Sequence, residues 1–138
     1  MRFGPFQPTD CAVHKFRSMV LWQRSHDLVL CALKETDKAY HPRSRALFDQ
    51  LRRAAISVEC NIVEGYALAT PLLFRRHLRI AMGSAAETES LVRTAIEVEY
   101  LSEACTKRMA ALLDEILALL FTLIRRLSVK ARGTEHGA

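Results

Sequence analysis

Residues 50–65, QLRRAAISVECNIVEG, limit the fold of this chain more tightly than any other stretch. Leu51, Ala54, Ala55, Val58 and Ile62 recur at steps of three and four, which lines one side of a helix with apolar groups. Gly65 follows the stripe and reads as its stop, because glycine accepts the left-handed conformation that a helix end often takes. Thr70 and Pro71 read as the next start, with Thr70 as N-cap and Pro71 at the first helical position. The result is a helical hairpin, and the remaining chain must cover its apolar side.

The flanking segments have the same period. A first helix is expected from residue 18 or 19 to about 40. Trp22, His26, Val29, Leu33 and Tyr40 lie broadly on one side of it, with Leu21, Leu28 and Ala32 beside them, and Pro42 ends it. The second helix is expected over about 43–64 and the third over 71–97, through Phe74, Leu78, Ala81, Ala85, Val92 and Ala95. Gly83 sits inside the third, where glycine costs about 1 kcal/mol against alanine; it is expected to let a neighbouring helix approach. Ser102 can cap a fourth helix running to about residue 130. There Met109, Leu113, Ile116, Leu120, Leu123 and Leu127 form a heptad seam. Leu112, Leu117, Leu119, Phe121 and Ile124 add apolar surface off that seam, more than one bundle is expected to cover.

The fold class expected is therefore all-α, an antiparallel up-down four-helix bundle over 18–130, with an irregular leader at 1–17 and a flexible tail at 131–138. Only 5 Gly and 4 Pro in 138 residues agree with long regular elements. The longest apolar run, Ile116–Ile124, falls far short of the roughly 20 residues that a membrane span needs, so no membrane partner is expected.

The ordered set Gln50, Leu51, Arg52, Arg53, Ala54, Ser57, Asn61, Ile62, Glu64, Gly65, followed by Ile80, Ala81, Gly83, Ser84 and Glu87, resembles the four helix bundle protein family, also called the 23S ribosomal RNA intervening-sequence protein family. The resemblance extends from about Phe16 to about Leu127. Val63 stands where the family usually has Ala, Ser25 where an Ala usually follows the Trp22–Gln23 pair, and the basic residue often found after the glycine is absent from 66–70. The family's ribosomal name reflects gene location. The resemblance implies a ring-like pentamer of four-helix bundles without established activity. Similar basic bundles are partners of the reverse transcriptase in diversity-generating retroelements and hold nucleic acid on a positive ring surface.

Enzyme motifs do not emerge. The histidines at 14, 26, 41, 77 and 136 form neither Glu-x-x-His nor His-Glu-x-x-His, the patterns that di-iron bundles and zinc proteases use. No cofactor, metal or catalytic residue is expected. Cys11, Cys31, Cys60 and Cys105 are scattered and no secretory leader precedes them, which points to a reducing cytoplasm and to cysteines used for packing. Cys60 lacks a nearby activating His and is assigned to packing.

Arg53, Ser57, Asn61 and Glu64 form a polar stripe beside the apolar one. Antiparallel pairing brings it to Ser84 and Glu87, with an Arg52 or Arg53 contact to Glu87 expected. A structural network that fixes helix register is the reading favoured over a ligand site, and loss of either Arg53 or Asn61 is expected to destabilise the fold.

The net charge of +5 is unevenly spread. Residues 43–79 hold seven basic and three acidic side chains, and residues 84–116 hold three basic and seven acidic. Arg75, Arg76, Arg79, Arg125, Arg126 and Lys130 are the candidate nucleic-acid contacts, of the salt-sensitive, sequence-independent kind. Two functions follow. The first is a non-enzymatic scaffold whose partner is itself, packed head to tail in a ring so that basic meets acidic; five subunits come only from the resemblance. The alternative is a nucleic-acid-binding accessory protein, such as a partner of a reverse transcriptase.

Overall fold

The computed structural model describes residues 12–135, with side chains over 15–129 and at 132 and 133. Four α-helices occupy most of it: α1 Val20–Lys38, α2 Arg45–Ala67, α3 Pro71–Glu97 and α4 Glu103–Glu135. Each packs on two neighbours in a square, α2 on α3, α3 on α4, and α1 on both α2 and α4. Cross-helix bonds run in opposite order along each pair. His26 meets Glu59 and Arg52 meets Thr36, Ser57 meets Ser84 and Asn61 meets His77, Arg24 meets Glu115 and Arg108 meets Asp27. Adjacent helices are therefore antiparallel.

The core is the inner stripe of all four helices. Phe48, Leu51, Val58, Ile62, Leu78, Met109, Leu113, Ile116 and Leu120 are fully buried, and the small side chains of Ala55, Ala81 and Ala85 let α2 and α3 close on each other. On α1 the buried stripe is offset from the expected one: it is Leu21, Ser25, Leu28, Ala32 and Thr36, while Trp22 and Val29 pack at its margin and Tyr40 is exposed. Ser25 and Thr36 are tolerated there because their hydroxyls donate to the carbonyls of Leu21 at 2.8 Å and Ala32 at 2.7 Å. Leu112 is also buried, so the surplus apolar surface on α4 is smaller than the seam predicts.

Several expected boundaries move. Gly65 does not end α2; it is a buried residue within it, and the helix continues to Ala67. A methyl group at Gly65 would lie 2.7 Å from His77 Cβ and 3.0 Å from Phe74 Cδ2, so the glycine serves close approach of α3. Ala69 takes the left-handed conformation instead, at φ 59°. Gly83 has the opposite surroundings: nothing within this chain would meet a Cβ there within 4 Å. The α3 start agrees with its sequence signal, since Leu73 N–H donates to Thr70 Oγ1 at 3.3 Å. Part of the expected irregular leader, Ala12–Ser18, is a 3-10 helix whose Phe16 meets the Trp22 ring edge-on at 5.3 Å; residues 1–11 lie outside the described ones. The tail differs too, because α4 continues beyond residue 130 to Glu135.

Candidate interaction surface

Two polar systems and one basic face stand out from the scaffold. The first system is a ladder along the α2–α3 seam. Ser57 Oγ lies 2.8 Å from Ser84 Oγ, and Asn61 Nδ2 donates to the Ser57 carbonyl at 2.9 Å and to Ser57 Oγ at 3.2 Å. Asn61 Oδ1 accepts from His77 Nδ1 at 3.1 Å, and the same nitrogen is 3.7 Å from Glu64 Oε2. With oxygen acceptors on both sides, Nδ1 carries the proton. Further along, Gln50 Nε2 donates to Glu87 Oε1 at 2.7 Å and Arg53 donates to Gln50 Oε1 at 3.1 Å. The expected arginine contact to Glu87 is thus made by Gln50 instead.

Arg52 turns the other way. It donates to Thr36 Oγ1 at 2.8 Å and Asp37 Oδ1 at 2.9 Å, and lies 3.6 Å from Asp49. It ties α1 to α2. Gln50, His77 and Thr36 escaped the sequence reading because their partners lie on other helices. His77 alone left a signal: it follows Asn61 by 16 residues across a hairpin turn.

Every member of the ladder has a polar partner within the chain, and among the described residues no buried side-chain nitrogen or oxygen lacks a hydrogen-bond partner. Cys60 is exposed on the outer side of α2 rather than packed. Burial of the sulfur, followed by the carboxylates of Glu59 and Glu64, pushes its thiol pKa up, which disfavours the thiolate a nucleophile needs. A concave cleft of about 320 Å³ at the α2–α3 turn is lined by Gly65, Tyr66, Ala67, Ala69, Thr70, Pro71, Phe74 and Leu127, a set without an acid or base suited to catalysis at neutral pH. Among the described residues no three His, Cys, Asp or Glu side chains converge as a metal site would require.

The basic face lies where the first half of α3 runs beside the last part of α4. Arg75 is fixed within it, donating to Ser128 Oγ at 2.7 Å. Arg76, Arg79, Arg125 and Arg126 are exposed. Arg125 lies over the Phe121 ring at 5.7 Å, and Arg79, Met82, Phe121, Ile124 and Arg125 line one shallow depression between the two helices. Leu72, Ile80, Phe121 and Val129 are 64%, 47%, 56% and 72% exposed. Neither 71–86 nor 116–134 contains an Asp or Glu. Elsewhere Arg24, Arg45, Arg52, Arg93 and Arg108 all have carboxylate partners within the chain. Among the described residues Arg76, Arg79, Arg125 and Arg126 have none. The side chain of Lys130 is outside those described.

A four-helix chain with these motifs fits one known family, and the model of the 23S rRNA-intervening sequence proteins matches residues 17–122. The chain belongs to that family. The match spans α1 to α3 and the first two-thirds of α4, so it includes the ladder and the α3 half of the basic face. A search of curated proteins finds no match. Within this family member no helix among the described residues is long and apolar enough to cross a membrane.

Proposed function

We propose that this protein is a non-enzymatic, self-associating bundle whose role is interaction. The carrying observation is the α3–α4 face, where large apolar side chains stand exposed between arginines that lack carboxylate partners. Exposed patches of that composition mark interaction sites, and burying them against protein supplies both apolar cover and counter-charge. A polar ladder satisfied within the chain and a turn cleft without suitable acid or base groups support the absence of catalysis. Light scattering of the purified full chain at moderate salt tests the reading: a mass of two or more subunits is expected, and a monomer at micromolar concentration overturns it.

The same arginines favour a second reading, an accessory protein that holds nucleic acid. Such binding would be electrostatic, weaken steeply with added salt and show little sequence preference. Titration of a labelled oligonucleotide at low salt decides it, and no binding there rules the accessory reading out.

A further inference from the structure

The seam between α1 and α4 carries two ion pairs at its surface. Arg24 donates to Glu115 Oε1 at 2.9 Å, and Arg108 lies 3.7 Å from Asp27. Both pairs reach solvent, where an ion pair adds little to stability. They also set the level of one helix against the other. On α1, Cys31 stands one turn beyond Asp27 and two beyond Arg24, on the flank that faces α4. On α4, Cys105 stands one turn before Arg108, on the flank that faces α1. The helices run in opposite directions, so one turn forward on α1 matches one turn back on α4. Cys31 and Cys105 are therefore level with each other across the seam. Each is half-buried against the core, and each is a free thiol. Burial, then the Glu35 carboxylate, push the Cys31 thiol up; Arg108 acts the other way, and Cys105 adds to the rise. Cys105 Sγ donates to the Ser102 carbonyl at 3.2 Å, in the first turn of α4.

We propose that Cys31 and Cys105 are a dithiol site that closes to a disulfide and locks α1 to α4, with a low-molecular-weight disulfide such as oxidised glutathione as the oxidant. The site goes beyond the self-association proposed above and does not depend on it. Cys105 reacts first, because burial and Glu35 hold Cys31 in its thiol form. The Cys105 thiolate attacks one sulfur of the small disulfide, which forms a mixed disulfide and releases one thiolate. The Cys31 thiolate, favoured by Arg108 beside it, then attacks Cys105 Sγ and releases the second. The two cysteines give up two electrons and two protons, and the small disulfide takes up both and leaves as two thiols. The bond joins the first and last helices, which no turn connects. It closes a loop of about 75 residues that carries α2 and α3, and such a closure stabilises mainly by constraining the unfolded chain. A seam otherwise held at its surface by solvent-exposed ion pairs then cannot open without breaking a covalent bond.

The purified full chain in glutathione buffers of graded redox ratio provides the test. In oxidising buffer, peptide mapping should find the 31–105 disulfide in most chains, and a non-reducing gel should show it within single subunits. The melting temperature should rise by about 10 °C over that of the reduced protein. In denaturant the same bond should need a buffer at least about tenfold more oxidising, because the fold no longer holds the two thiols level. Cys60→Ser should keep both effects. Cys31→Ser should lose them and carry a glutathione on Cys105 instead. Chains that keep both thiols, that take up glutathione separately at Cys31 and Cys105, or that cross-link through them between subunits overturn the proposal. A 31–105 bond that leaves the melting temperature unchanged or lowers it overturns the lock. Light scattering of the reduced protein reports on self-association separately, so either reading can fail while the other stands.

Discussion

A methyl group placed at Gly65 would press on His77 Cβ and the Phe74 ring, and on the Phe74 carbonyl at 3.3 Å, so at least one backbone must shift. Gly65→Ala should lower stability by about 1–3 kcal/mol, the usual range for an overpacked core. Gly83→Ala should do the reverse in the separated subunit, raising stability by about 1 kcal/mol through helix propensity alone. Denaturant unfolding at high salt and low protein concentration reads both. The ladder yields a second contrast. Asn61→Ala strips His77 Nδ1 and Ser57 of a half-buried partner and should cost about 1–3 kcal/mol, whereas Arg53 is exposed and bonded only to Gln50. Arg53→Ala should therefore stay within about 0.5 kcal/mol of the parent, and equal losses in the two variants would show that the ladder extends through Arg53 after all.

At the scale of the helices, the informative positions are the two turns. Ala69 at φ 59° and Glu99 at φ 62° hold left-handed conformations that cost a residue with a Cβ about 1–2 kcal/mol. Ala69→Gly and Glu99→Gly should each raise the unfolding free energy by about 1 kcal/mol, part of the strain being offset by glycine's greater freedom when unfolded; a loss at either site would mean that the turn depends on the side chain it carries. These turns also explain what the sequence concealed. The α3 start was legible because Thr70 and Pro71 do a local job, capping and pre-setting one turn. The α2 end was not, because a glycine needed for close packing and a glycine needed for a left-handed stop are written with the same letter. The apolar period identified every helix, since burial repeats with the helical turn. It misplaced the α1 stripe, where Ser25 and Thr36 are buried but polar and Trp22 is large but marginal. The partners of Gln50, Arg52 and His77 were hidden for a different reason: which of several levels on a neighbouring helix a long side chain reaches depends on packing distances that no local pattern records.

Along α3 and α4 charge is sorted by height: arginines toward the α2–α3 turn, carboxylates toward the α3–α4 turn. A cylinder charged in this way has a permanent electric moment along its long axis. Opposite charges tens of ångströms apart produce a moment that ordinary salt screens only beyond about 8–10 Å, so the field at close range survives in physiological buffer. A single subunit therefore does not tumble at random as it nears another charged body. It turns basic end first toward an anionic surface before any side chains touch. Such steering raises encounter rates by tenfold or more.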